Sequence, residues 1–294
     1  MGGLSAVLAR ALQTRGAGFG LVVVALVLFV ALSADVIAPY NPNQPQQAGV
    51  LAAPALAHWL GTDQLGRDVL SRIIHGTRTS VQAGVVSVGF ALIAGVSIGL
   101  LAGYHGGWID DVLVLFVDAL WSFPTLVLAL AIAASLGPGL TNAMLAIGVV
   151  FTPIFARLVR GQTLSVRDRD FVVAARTLGA GPGRIMLRHI WPNVTAPIIV
   201  QTSLLVASAI VVEAALSFLG LGIEPPTSSW GSMLKAGYQY MQQAPWLSFA
   251  PGAAIFVTVL AFNLLGDGLR RGLDPRLRQQ GKSQEGVTSP ARRS

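Results

Sequence analysis

Few side chains in this sequence could do chemistry, and those few are unusually placed. Two carboxylates and an amide, Asp118, Glu213 and Asn263, lie inside long apolar runs. A charge in such a setting is costly unless it meets a partner or a water-lined passage. Asp118 and Asn263 are therefore candidates for a translocation pathway or for hydrogen bonds between helices. Glu213 is a candidate pathway or gate residue, or a group reaching interfacial water at the end of its span. A second cluster, Asp63, Arg67, Asp68 and Arg72, pairs opposite charges four residues apart. It fits either an ion-pair network or a contact surface for a delivering protein. Bond-making chemistry has no constellation. There is no cysteine to act as nucleophile or metal ligand, and His58, His75, His105 and His189 are scattered without ligand spacing. The sequence GAGPGR at 179–184 lacks the lysine and the preceding strand of a phosphate loop. Any energy for work must come from another chain.

These residues are positioned by a chain built for lipid. Of its 294 residues 53% are hydrophobic and only 11% charged, with a mean hydropathy of +0.64; a soluble domain carries about 25% charged residues. Six stretches approach the roughly 20 apolar residues that a membrane crossing needs: 19–38, 79–103, 111–136, 140–159, 194–221 and 248–267. The first is read as a retained signal anchor, because it is long for a cleaved leader and five more spans follow. The organisation expected is an N-terminal segment 1–18, a first span 19–38 and an external loop 39–78. A five-helix core 79–267 follows, including a charged loop 160–193, and then a tail 268–294.

Charge placement gives the orientation. Sixteen of the twenty lysines and arginines sit before span 1, around the 160–193 loop or after span 6. The positive-inside rule then puts both termini and that loop in the cytoplasm. The net charge of +7 is read as an address label for a membrane, with no nucleic-acid partner. Residues 1–15 suit an interfacial helix, and the polar stretch 279–294 suits disorder.

Outside the spans, PYNPNQPQQ at 39–47 should be extended. Asp63 is a candidate N-cap for a short surface helix carrying Val69, Leu70, Ile73 and Ile74. In segment 222–247, Trp230, Tyr238, Tyr240 and Trp246 are expected at headgroup depth. Ala91, Gly95, Gly99 and Gly103 recur every four residues, a pattern for close helix contact, either within the bundle or across a dimer. Pro124, Pro153, Pro197 and Pro251 fall in or near spans and free backbone groups that suit a transport pathway or a plain kink.

The most informative stretch is 170–193, DFVVAARTLGAGPGRIMLRHIWPN. Asp170 can cap a helix whose Phe171, Ala174, Ala175 and Leu178 share one face. Gly179 can close it in a left-handed conformation. Gly181 and Pro182 start a second helix, with Ile185, Met186, His189 and Ile190 on its apolar face. Pro192 is expected to stop that helix and Asn193 to cap the next span. Arg176, Arg184 and Arg188 remain on the polar side.

This stretch resembles the EAA loop of bacterial ABC importer permeases, E-A-A, three residues, G, nine residues, I-x-L-P. Ala174, Ala175, Gly179, Ile190 and Pro192 match; Val173 replaces the glutamate and Trp191 the leucine. His58 through Asp68 with Ser71-Arg72, Glu213 through Gly222, Pro225-Pro226 with Trp230-Gly231, and Leu273-Asp274-Pro275-Arg276 are similar to signatures of the dipeptide, oligopeptide and nickel permeases of DppC/OppC type.

The resemblance implies an all-α membrane protein with six transmembrane helices, the type I ABC importer permease fold and a cytoplasmic coupling helix. It implies a non-enzymatic permease of a bacterial inner membrane that carries peptides or similar small solutes. Its partners would be a homologous DppB/OppB-type permease, two ATP-binding subunits and an extracytoplasmic solute-binding protein. No cofactor is expected on this chain, ATP and Mg being held by partner subunits, and no metal. Ala174, Ala175, Arg176, Gly179, Arg184, Ile185, Arg188, His189 and Pro192 would couple to the ATPase. The reading that competes is an ATP-independent secondary transporter or channel, which would use Glu213 and Asp118 for ion coupling.

Overall fold

The structure is a computed structural model that describes residues 15–273, with side chains from Gly16 onward. The expectations for residues 1–14, for the tail 279–294 and for Asp274–Arg276 fall outside these residues. The described chain forms α1 (Arg15–Ile37), α2 (Val69–His105), α3 (Gly107–Trp121), α4 (Thr125–Leu136) and α5 (Leu140–Arg167). It continues through α6 (Asp170–Thr177), α7 (Pro182–Leu219), α8 (Trp230–Gln239) and α9 (Trp246–Leu273). Among the described residues α1, α2, α5, α7 and α9 are long and apolar enough to cross a membrane, and no β-sheet forms.

The sixth crossing departs from the continuous helix expected over 111–136. It is a broken pair, α3 and α4, bent by 92° at Ser122–Pro124. Pro124 supplies no N–H to the helix ladder and disfavours helical backbone at Phe123, so the chain turns there. Pro153, Pro197 and Pro251 sit inside α5, α7 and α9 without breaking them.

Small residues set the centre of the bundle. A β-carbon placed on Gly95, Gly99 or Gly103 of α2 would come within 2.6–2.7 Å of Phe155, Thr152, Ala156 or Thr163 on α5. The four-residue repeat therefore serves packing inside this chain, letting two backbones approach as lipid-embedded helices do. Ala91 is fully buried in the same seam. The outward face of α1 keeps Phe19, Val22, Phe29, Leu32 and Val36 exposed, as a lipid-facing surface requires.

Two expectations at the far end from α6 are corrected. No separate surface helix forms at 69–74; those residues are the first turns of the 37-residue α2. Its N-cap is Asp68, whose Oδ2 accepts from Ser71 N at 2.8 Å and Ser71 Oγ at 2.7 Å, whereas Asp63 lies in the preceding turn. Trp230 is 2% exposed and is no interfacial anchor; it packs against α2, with Nε1 donating to the Ile73 carbonyl at 3.3 Å. Tyr238 remains exposed on α8, while Tyr240 and Trp246 are half-buried.

Candidate coupling site and the polar clusters of the bundle

At one end of the bundle α6 lies across the exits of α5 and α7. It starts at Asp170 with Arg169 as its extended cap residue, one position earlier than the cap expected. Val172 is its anchor: fully buried, it joins Ile185 and Ile190 in the main core. Phe171, Ala174, Ala175 and Leu178 do share a face, and it points away from that core. Phe171 is 42% exposed and Leu178 87%. Val173 and Leu187 add to this apolar, uncovered surface, and Arg184 and Arg188 stand exposed beside it. Large apolar groups collected at a water-facing end are a mark of a protein partner.

The turn that aims α6 is defined by Gly179. Its φ is +81°, and the closing bonds run from Leu178 N to Ala174 O and from Ala180 N to Ala175 O, each 3.0 Å. An L-residue with a β-carbon resists that left-handed conformation, so glycine is required by the backbone. Pro182 then opens α7 after an extended Gly181, as the sequence indicates.

Pro192 does not stop this helix. Ile185–Ile190 widen into a π-turn, in which Trp191 N–H reaches back to the carbonyl of Met186, and α7 runs on to Leu219. The wider turn absorbs the N–H that proline cannot supply. Asn193 accordingly caps nothing; its Nδ2 donates to His189 O at 2.7 Å. The structure thus gathers Ala174, Ala175, Arg176, Gly179, Arg184, Arg188 and Pro192 on or near one surface. Ile185 is buried beneath it and His189 half-buried. Arg176 is turned back toward the bundle, its guanidinium 5.8 Å from the Tyr104 ring centroid.

Glu213 is fully buried and reaches neither water nor a cavity wall. Ser217 Oγ donates to its Oε1 at 2.7 Å and Ser80 Oγ to its Oε2 at 3.2 Å. Those hydroxyls in turn accept from Ile223 N and Trp230 N at 3.3 Å each. The carboxylate is the knot tying α7, α2 and the start of α8, and the expected reach to interfacial water is absent. Asn263 is exposed and bonds the Val259 carbonyl of its own helix at 3.0 Å, so the interhelical bond expected for it does not form.

Asp118 does bond between helices. Arg157 Nη2 lies 2.7 Å from Asp118 Oδ1 and its guanidinium stacks over Trp121, 4.5 Å from the ring centroid. A parallel bidentate pair, Arg160 with Asp110 at 2.6 Å on both arms, also joins α5 to α3. Both pairs border a cavity of about 280 Å³ lined by Gly99, Val114, Val117 and Arg157. Asp110 and Arg160 escaped the sequence reading. Their opposite signs near the same end of adjacent spans were the available signal.

The outer cluster is an interior network. Asp63, Arg67, Asp68 and Arg72 are all at most 8% exposed. Asp63 accepts from Arg67 Nε at 2.7 Å and from two backbone amides at 2.9 Å, and lies 3.4 Å from Arg72 Nε. His58 Nδ1 lies 2.9 Å from Asp68, and Arg72 donates to the Pro42 carbonyl at 3.1 Å. These contacts fold residues 38–68 onto the head of α2, which leaves little of the four side chains for a partner.

A broken sixth crossing, a glycine-welded helix pair and a short helix held outside the bundle by a glycine turn make up a multi-pass helical membrane fold. The comparisons with known proteins agree. Residues 95–279 match the family described as the inner membrane component of binding-protein-dependent transport systems, and residues 5–54 match the N-terminal transmembrane domain of oligopeptide transport permease C. The chain is 48% identical over 273 residues to the dipeptide transport system permease protein DppC of Escherichia coli, covering 91% of each. It is 44% identical over 259 residues to that of Alkalihalophilus pseudofirmus, covering 88% of this chain and 85% of the relative. It is also 44% identical over 256 residues to the glutathione transport system permease protein GsiD of Pectobacterium atrosepticum, covering 87% and 85%. The fold is similar to that of a chain of the inward-facing MetNI methionine ABC transporter, with a TM-score of 0.56 at 18% identity over 69% of this chain and 96% of that one.

The chain belongs to the family of binding-protein-dependent transport system inner membrane components. It is a permease subunit of an ABC importer, a class that works with ATP-binding and substrate-binding partners, and the ATPase lies on separate subunits. Nothing supports the secondary-transporter alternative.

Proposed function

We propose that this chain is the DppC/OppC-type half of an importer that carries short peptides into the cytoplasm, driven by ATP hydrolysis on two docked subunits. The observation that carries the reading is the α6 surface. Phe171, Leu178 and Leu187 stand uncovered, while Val172, Ile185 and Ile190 tie the same segment into the core. A partner that grips the outer face therefore pulls on α5 and α7 through the inner one. The peptide cargo is supported by the names of the relatives, which transport dipeptides, di/tripeptides or glutathione. The second permease is of DppB/OppB type, an external binding protein delivers the cargo, and both termini and α6 face the cytoplasm. ATP and Mg are held by the ATPase subunits and this chain binds no cofactor. Of Asp118, Glu213 and Asn263, Asp118 is the one that borders the 280 Å³ cavity, and it is assigned to the pathway.

The test is affinity purification of the tagged chain from native membranes in mild detergent, with every co-purifying subunit identified. A second permease with P-loop ATPases is the expected result. Recovery of this chain alone, monodisperse under conditions that preserve known complexes, would overturn the reading.

A further inference from the structure

A cavity of about 560 Å³ opens between α5, α7 and α9, toward the end of the bundle that carries α6. That volume falls within the roughly 300–1,000 Å³ of ordinary small-ligand sites. Its walls include Leu158, Gln162, Asn193, Pro197, Gln201 and Arg270. Gln162 and Gln201 are both partly buried, and among the described residues neither side-chain amide meets a hydrogen-bond partner. Both amides therefore keep their donors and acceptors free for a ligand in the cavity. A further acceptor lies in the same wall. Pro197 has no N–H to offer the carbonyl of Asn193, four residues earlier, and both residues border the cavity.

The set is two primary amides, each both donor and acceptor, and a main-chain carbonyl. Its chemical complement is a chain of secondary amides. The remaining lining, Leu158, Ala196, Val200 and Leu204, offers no polar group that would select one side chain over another. A lipid headgroup site would gather several cations, and among the described residues Arg270 is the single cation in this lining.

We propose that the α5–α7–α9 cavity is a transient subsite for the peptide main chain, in which Gln162, Gln201 and the Asn193 carbonyl bond the amides of the passing cargo. The proposal rests on the peptide-import reading above and adds where the cargo pauses and which atoms of it are recognised. Recognition of main chain alone lets one passage accept many side chains.

The complete complex, purified from native membranes and reconstituted with its binding protein, serves as the test, with trialanine as cargo. Gln162→Leu and Gln201→Leu are each expected to lower trialanine uptake about three- to tenfold, the size of one lost hydrogen bond. ATP hydrolysis stimulated by the loaded binding protein should be unchanged. Because the chain has no cysteine, Gln201→Cys gives a single labelling site in this subunit, and turnover with trialanine is expected to slow its reaction with a thiol reagent. Unchanged uptake in both leucine variants, or labelling indifferent to trialanine, overturns the subsite. So does a parallel loss of uptake and ATPase activity, which would make the glutamines structural. Labelling slowed by phosphatidylglycerol in the vesicles and not by cargo would make the occupant a headgroup and overturn it too. Failure of the wild-type complex to import trialanine while it imports a non-peptide solute would instead overturn the peptide reading, and the subsite with it.

Discussion

Replacing Gly179 with alanine isolates the turn that aims α6. A β-carbon there would meet no atom within 4 Å, so no clash contributes. What remains is the φ of +81°, a conformation that costs an L-residue about 1–2 kcal/mol. At about 1.4 kcal/mol per decade, the population holding α6 in its observed direction falls roughly five- to thirtyfold against a relaxed turn. Gly181 is the internal control. It has equally open surroundings but φ −67° and ψ 158°, which any residue adopts. Reconstituted complexes carrying Gly179→Ala are expected to assemble normally and to import less cargo per ATP hydrolysed. Gly181→Ala should match wild type. Gly179→Asn should fall between, because asparagine tolerates the left-handed region, and Gly179→Asp should assemble but transport weakly. Equal coupling in Gly179→Ala and Gly181→Ala would refute the argument that this backbone angle directs the docking helix.

Three further outcomes follow from the packing. Gly99→Val should cost about 1–3 kcal/mol by overpacking, since even a first carbon would lie 2.6 Å from the Ala156 carbonyl; thermal unfolding of the complex should show it, and Gly89→Ala, with nothing within 4 Å, should not. Glu213→Ala should destabilise the complex by about 2–4 kcal/mol, because it orphans the hydroxyls of Ser80 and Ser217 and leaves a cavity; a transport defect with unaltered thermal stability would contradict the structural role. Asp68→Ala removes the cap of α2 and the partner of His58. A loss of about 1–2 kcal/mol should appear as faster proteolysis within residues 41–61, and unchanged cleavage would count against the network.

What the sequence made legible was local. Gly179 with Pro182 marked the turn, the glycine repeat marked the α2 seam, and hydropathy marked the spans, because each depends on residue type at fixed spacing. What it concealed depends on the third dimension. Pro124 and Pro192 look alike in sequence, yet one breaks a crossing and the other is absorbed by a π-turn. Glu213 reads as a pathway or gate carboxylate, or one reaching interfacial water, until Ser80, 133 positions away, is brought against it. Trp230 has the residue type of a membrane anchor, and only its burial against α2 removes it from the headgroup region. The α6 face was visible as a pattern, but its direction, away from the core, was not.

The central claim is that α6 is the handle by which a separate ATPase moves this subunit. The most direct measurement uses the absence of native cysteine. A photo-crosslinker is attached through Leu178→Cys, at an 87% exposed position, and its adducts in native membranes are identified by mass spectrometry, with Trp59→Cys at the opposite end as control. Adducts from position 178 to a P-loop ATPase subunit, changing with added ATP and absent from position 59, are the expected result. Position 178 yielding only lipid or solvent adducts, in membranes where the intact complex is demonstrably present, would contradict the account.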